Sequence, residues 1–147
     1  MLRIEVTTLI NRPVQEAWDF FTDLTNSPRW TRSGSELRQT SEGALGVGAT
    51  IESVRPMFGR EIKSQTIVVT QYEPRHLISF TSDVKLLGRV TGGVTFENVG
   101  GATRLSRWSE ADLGRANRLL GPILARLVRW GQGSEMSNLK RLIEARP

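Results

Sequence analysis

The stretch LRIEVTTLINRPVQEAWDFFTDLTNSPRW, residues 2–30, decides the fold. Leu2, Ile4, Val6, Thr8 and Ile10 alternate with Arg3, Glu5, Thr7 and Asn11, with Leu9 as the exception. A period of two marks a strand with one buried face. Asn11-Arg12-Pro13 ends it, and Pro13 suits the first position of a helix, where its missing N–H costs nothing. Glu16 places negative charge in the first turn, and Val14, Ala17, Trp18 and Phe21 fall at helical spacing. A short helix over 13–22 therefore follows the strand and docks on the sheet through Trp18, Phe20 and Phe21. Residues 23–30, with Thr25, Asn26, Ser27 and Pro28, are too polar and interrupted for more than a turn or two of helix. They are expected to cross an end of the sheet, with Trp30 as a cap or a pocket entrance.

Downstream, breaks at Gly43 to Gly48, Phe58-Gly59-Arg60, Glu73-Pro74-Arg75, Leu87-Gly88 and Gly100-Gly101 leave strands at 36–41, 49–57, 61–72, 77–84, 89–99 and 102–111. Connections this short imply an antiparallel meander. Gly43, Gly46 and Gly48 precede a β-branched segment that reads as a strand, whereas a phosphate-cradling loop must open a helix. A nucleotide site is not expected there.

Residues 113–145 form a long helix, in which Pro122 either kinks the helix or sits at the start of its main part. At about 100° per residue, Leu120, Ile123, Leu124, Leu127, Gly131 and Leu142 share one face, predicted to face the sheet. Arg115, Arg118, Arg126, Arg129 and Lys140 fall opposite, and Trp130 lies off the centre of the apolar stripe in a half-buried packing role. Residues 1–100 hold 11 basic and 11 acidic groups, so the whole net charge of +5 comes from the C-terminal third. Such a face is ordinarily solvated, and its functional reading is weak contact with an anionic surface.

The 147 residues, 38% hydrophobic and 24% charged, suit one globular domain, 1–147. Zero Cys and a single His, His76, leave only oxygen-ligand metal sites, and no DxDxDG-like calcium loop is present. A metal-free, cofactor-free protein is expected. No apolar run approaches the roughly 20 residues that span a bilayer, and the N-terminus alternates where a signal peptide would be continuously apolar. The expectation is a cytoplasmic protein without a transmembrane segment.

Val14-Gln15-Glu16-Ala17-Trp18-Asp19-Phe20-Phe21-Thr22-Asp23, followed by Pro28-Arg29-Trp30, resembles the opening signature of the polyketide cyclase/dehydrase and lipid-transport family of the START-like (SRPBCC) superfamily. Tyr72-Glu73-Pro74-Arg75 with Leu77 to Phe80, Thr95-Phe96-Glu97 with Gly101 to Leu105, and Leu139 to Glu144 are similar to its later hairpins and C-terminal helix end. The resemblance implies an α+β helix-grip fold. In that fold a seven-stranded antiparallel curved sheet wraps a long C-terminal helix, with one or two short helices after the first strand. It further implies an internal cavity between sheet and helix that takes lipids, polyketides, sterols or quinone-like molecules.

Three functions follow as expectations: binding or transport of a hydrophobic small molecule, a cyclase/dehydratase-type enzyme without metal, and an interaction module using the basic helix face. The enzyme reading is the weaker of the first two, because His76 sits in a turn and Tyr72 is the only tyrosine. Specific nucleic-acid recognition lacks its aromatic or helix-turn-helix component. The expected lining is Ile51, Ser53, Phe80, Val94, Phe96, Leu105, Arg107, Leu120, Leu124 and Leu127. If Leu105 faces inward, period two puts Arg107 on the same side and Trp108 outside. An inward arginine then pairs with an internal acid or holds a ligand's polar group, unless a bulge turns Trp108 inward instead. An outer face with Thr91, Thr95 and Gln65 leaves the chain a monomer or a weak homodimer.

Overall fold

The computed structural model describes residues 2–84 and 88–146, and of 116–118 the backbone alone. Among these residues the strands are β1 (Leu2–Ile10), β2 (Glu36–Gln39), β3 (Thr50–Met57), β4 (Arg60–Glu73), β5 (Leu77–Val84), β6 (Gly88–Val99) and β7 (Ala102–Ala111). They form one antiparallel sheet in the order β1-β7-β6-β5-β4-β3-β2. Helices α1 (Val14–Thr22) and α2 (Ser27–Trp30), separated by a 3-10 turn at Leu24–Asn26, connect β1 to β2. After β7, a 3-10 turn at Gly114–Ala116 leads into α3 (Asn117–Glu144). Strand positions agree with the glycine breaks to within two residues. Pro122 lies inside α3, neither at its cap nor at a later start, and withdraws one backbone hydrogen bond near its first turns. Among the described residues no helix is long and apolar enough to cross a membrane.

Two bulges on β4 curl the sheet. Ser53 pairs with Gln65 and Val54 with Lys63, which leaves Ser64 extra; Val69 pairs with Phe80 and Gln71 with Ser79, which leaves Thr70 extra. An unpaired residue bends its strand and increases the twist. Both extra hydroxyls are anchored: Ser64 Oγ donates to the Ser53 carbonyl at 3.3 Å, and the Thr70 and Ser79 hydroxyls lie 2.8 Å apart. Gln65, expected on the outer face, is instead paired beside Ser53 and turned to the concave side.

The concave face, α1, α2 and the second half of α3 enclose the core, which includes Ile10, Trp18, Phe20, Phe21, Val94, Phe96, Leu105, Met136, Leu139 and Ile143. Trp18 meets Tyr72 and Phe96 edge-on, with ring centroids 5.4 and 5.0 Å apart. The buried face of α3 is Gln132, Met136, Leu139 and Ile143. This overturns the assignment of Leu120, Leu124 and Leu127: Leu120 and Leu127 are 49% and 60% exposed, and Leu124 is only half-buried. At about 100° per residue the two apolar stripes lie on roughly opposite sides of one helix. Polar ties choose between them. Asn138 Nδ2 donates to the Trp30 carbonyl at 3.1 Å, Lys140 Nζ to the Leu9 carbonyl at 2.7 Å, and Glu144 accepts from the Asn11 amide at 2.7 Å. Trp130, expected half-buried, is 63% exposed, with the Arg32 guanidinium 4.6 Å from its ring.

Hydrogen bonds from Lys140 and the Asn11 amide hold the Glu144 carboxyl below the usual carboxylate range. A carboxylate depressed on folding stabilises the native state above its unfolded pKa and loses that contribution as pH falls through its folded value.

On the convex side the Trp108 ring lies over Gly93, its paired residue on β6. A Cβ at position 93 would fall 2.3 Å from Trp108 Cη2 and 2.7 Å from the Ile78 carbonyl oxygen. The backbone oxygen cannot swing away. Gly93→Ala is therefore expected to lower stability by about 1–3 kcal/mol, the usual range for overpacking. Denaturant unfolding checks this, and a neutral result would show that the β5–β6 ladder yields.

Candidate functional site

Small residues at inward positions leave the space between sheet and helix partly unfilled. Around Phe96, Leu105 and Val94 large side chains meet Trp18 and Phe21, but one stretch further along the strands the inward positions are Ser109, Gly92, Ser82 and Ser53. A cavity of about 320 Å³ remains there. Phe21 and Leu24 from the α1 region, Trp30 and Thr31 from α2 and its end, and Leu37 and Leu45 around β2 form one wall. Ile51, Ser53, Ile67, Ile78, Phe80, Gly92 and Val94 form the sheet side, and α3 contributes Glu135.

Five of the ten residues expected at the site line this cavity: Ile51, Ser53, Phe80, Val94 and Arg107. Phe96 and Leu105, 4% and 1% exposed, are packed in the core beside it. Leu120, Leu124 and Leu127 are not brought there, because the stripe that carries them turns away from the sheet. Of the basic positions, Lys140 is engaged with Glu144 at 2.6 Å, and the Arg118 side chain lies outside the described residues.

Arg107 follows the inward alternation, and Trp108 faces out. Arg107 Nη1 lies 2.6 Å from Glu135 Oε1, with the two side chains 27% and 18% exposed. The other carboxylate oxygen of Glu135 accepts the Arg32 amide at 3.1 Å. Glu135 thereby joins β7, α3 and the segment after α2, and neutralises the guanidinium in the cavity wall. Next to it Gln132 donates to the Ser109 hydroxyl.

Residues not foreseen at the site include Ile67, Ile78 and Glu135. The run of inward Ser and Gly on β3, β5, β6 and β7 is the signal that marks the gap. Trp30 is 4% exposed and stacked on Phe21 with centroids 5.5 Å apart, and its indole N–H has no hydrogen-bond partner among the described residues. A buried donor left open in this way costs free energy.

The wall can do little proton chemistry. Among the described residues its charged groups are Arg55, Arg107 and Glu135, and a guanidinium offers hydrogen-bond donors but no acceptor. His76 is exposed in the β4–β5 turn and Tyr72 packs on Trp18, so neither reaches the cavity lining. Among the described residues no group of three or more His, Cys, Asp or Glu could hold a metal ion.

Residues 1–144 match the family model for polyketide cyclase / dehydrase and lipid transport. No curated protein matches the chain in sequence. TTHA0849 from Thermus thermophilus superposes with a TM-score of 0.75 at 16% identity, covering 97% of each chain. The di-domain ARO/CYC BexL from the BE-7585A biosynthetic pathway reaches 0.78 at 20% identity, covering 98% of this chain and 47% of BexL. Ara h 8.0201 reaches 0.70 at 11% identity, covering 98% of each. At these identities the likeness is one of fold.

Proposed function

The chain belongs to the polyketide cyclase/dehydrase and lipid transport family, and from that premise we propose that it binds a hydrophobic small molecule in the cavity between sheet and helix. The supporting observation is the cavity itself: about 320 Å³ lined by Phe21, Trp30, Ile51, Ile78, Phe80 and Val94 together with Ser53, Gln65, Ser82, Ser109 and the Arg107–Glu135 pair. A cavity of mixed lining suits a largely apolar molecule that also carries polar groups, such as a lipid, polyketide, sterol or quinone-like ligand. Among the described residues Glu135 is the one carboxylate on the wall and both its oxygens are engaged, which favours binding over acid–base catalysis.

Titration with an environment-sensitive apolar fluorophore tests this. Wild type is expected to bind one equivalent saturably. Ser53→Phe, which drives a ring into the cavity from the concave face, is expected to weaken binding at least tenfold, while Leu127→Ser leaves it unchanged. Circular dichroism establishes that both variants fold. Equal binding by wild type and Ser53→Phe would remove the cavity from the reading.

A further inference from the structure

The first half of α3 presents an apolar stripe that, among the described residues, is left open except where the Arg32 guanidinium lies 4.6 Å from the Trp130 ring. Leu119, Leu120, Ile123, Leu127 and Trp130 are 80%, 49%, 59%, 60% and 63% exposed. We propose that this face docks on an anionic lipid bilayer, with the helix lying in the interface plane and its arginines at the level of the lipid phosphates.

Charge identifies the occupant. From Leu113 to Ser134 the chain carries four arginines, Arg115, Arg118, Arg126 and Arg129, and no carboxylate. A second copy seated on this stripe would bring two such segments together with no acid to answer them, and the repulsion opposes a dimer. An anionic lipid surface offers both halves of what is missing: hydrocarbon for the leucines and phosphate for the arginines. Arg126 and Arg129 fall about 70° and 130° from the centre of the stripe, which lets their stems run along the apolar layer while the heads reach outward. Trp130, an amphipathic ring, suits the interface at the stripe's end.

The sheet register adds a second element at the same end of the molecule. β7 ends there at Ala111, opposite Val90 near the start of β6; Val84 of β5 pairs with Gly88 of β6 there; and β3 turns to β4 at Met57 and Arg60. The tip of that last hairpin is Phe58, 96% exposed. The cavity lining reaches toward this end through Arg55, Ser64, Val90 and Ser109. The proposed membrane face and the near end of the cavity therefore share one pole of the protein. The docking proposal stands on exposure and charge and does not depend on what the cavity holds.

Vesicle flotation tests it, with phosphatidylcholine vesicles prepared with and without phosphatidylglycerol. Wild type is expected to bind the anionic vesicles at low salt, to lose binding as salt rises, and to ignore the neutral ones. Arg126→Gln and Arg129→Gln should each weaken binding about fivefold. The double variant Ile123→Ser/Leu127→Ser should weaken it at least tenfold while unfolding like wild type, since both side chains are exposed. No binding to anionic vesicles at low salt overturns the proposal, as does equal binding to neutral ones. A concentration-dependent dimer in sedimentation that Ile123→Ser/Leu127→Ser abolishes would assign the stripe to a second copy instead.

Discussion

Met136→Ala and Leu139→Ala are each expected to cost about 2–5 kcal/mol of stability, against about 0.5 kcal/mol or less for Leu120→Ala and Leu127→Ala. All four remove large apolar side chains from one helix, so helix propensity favours alanine slightly in every case. Only location separates them. Met136 and Leu139 are 1% exposed and packed against the core, where truncation removes transfer free energy and leaves a cavity. Leu120 and Leu127 have half or more of their surface in water already. Urea unfolding measures all four on one scale. Large losses at Leu120 and Leu127 with small ones at Met136 and Leu139 would mean that the helix is rotated by half a turn.

Glu135→Gln is expected to give the cavity a preference for acids. In wild type the carboxylate neutralises Arg107, so a long-chain acid and its methyl ester should bind within about threefold of each other. Without it, Arg107 has no anionic partner among the described residues, and a ligand carboxylate can replace the lost one by charge-assisted hydrogen bonds. A preference for the acid of at least about tenfold follows, equivalent to about 1.4 kcal/mol. Stability should fall by about 1–3 kcal/mol, less than for a fully buried pair because both side chains retain some exposure, 27% and 18%. Adding Arg107→Met should abolish the acid preference. An unchanged acid-to-ester ratio in Glu135→Gln would show that ligand does not reach Arg107.

Local patterns carried much of this fold. The alternation in Leu2–Ile10, the Pro13 start of α1 and the glycine breaks between strands act over a few residues, and the elements formed where those patterns put them. The face of α3 is different. Its first half is rich in leucine, so a projection over the whole helix follows Leu120 and Leu127 rather than Met136, Leu139 and Ile143. The choice between faces rests on Asn138 with Trp30 and on Lys140 and Glu144 with Leu9 and Asn11, partners more than a hundred residues away in sequence. Inward placement of Arg107 follows from period two, because β7 carries no bulge, whereas Gln65 lies beside one of the two bulges that redirect β4. Glu135 became its partner only through the docking of helix on sheet.

The presence of an apolar ligand is tested most directly by native mass spectrometry of the chain purified from its own host without detergent. The expected result is a one-to-one noncovalent adduct that organic extraction releases and that Ser53→Phe lacks. Wild type and Ser53→Phe both emerging at the bare-chain mass from that same preparation would contradict it.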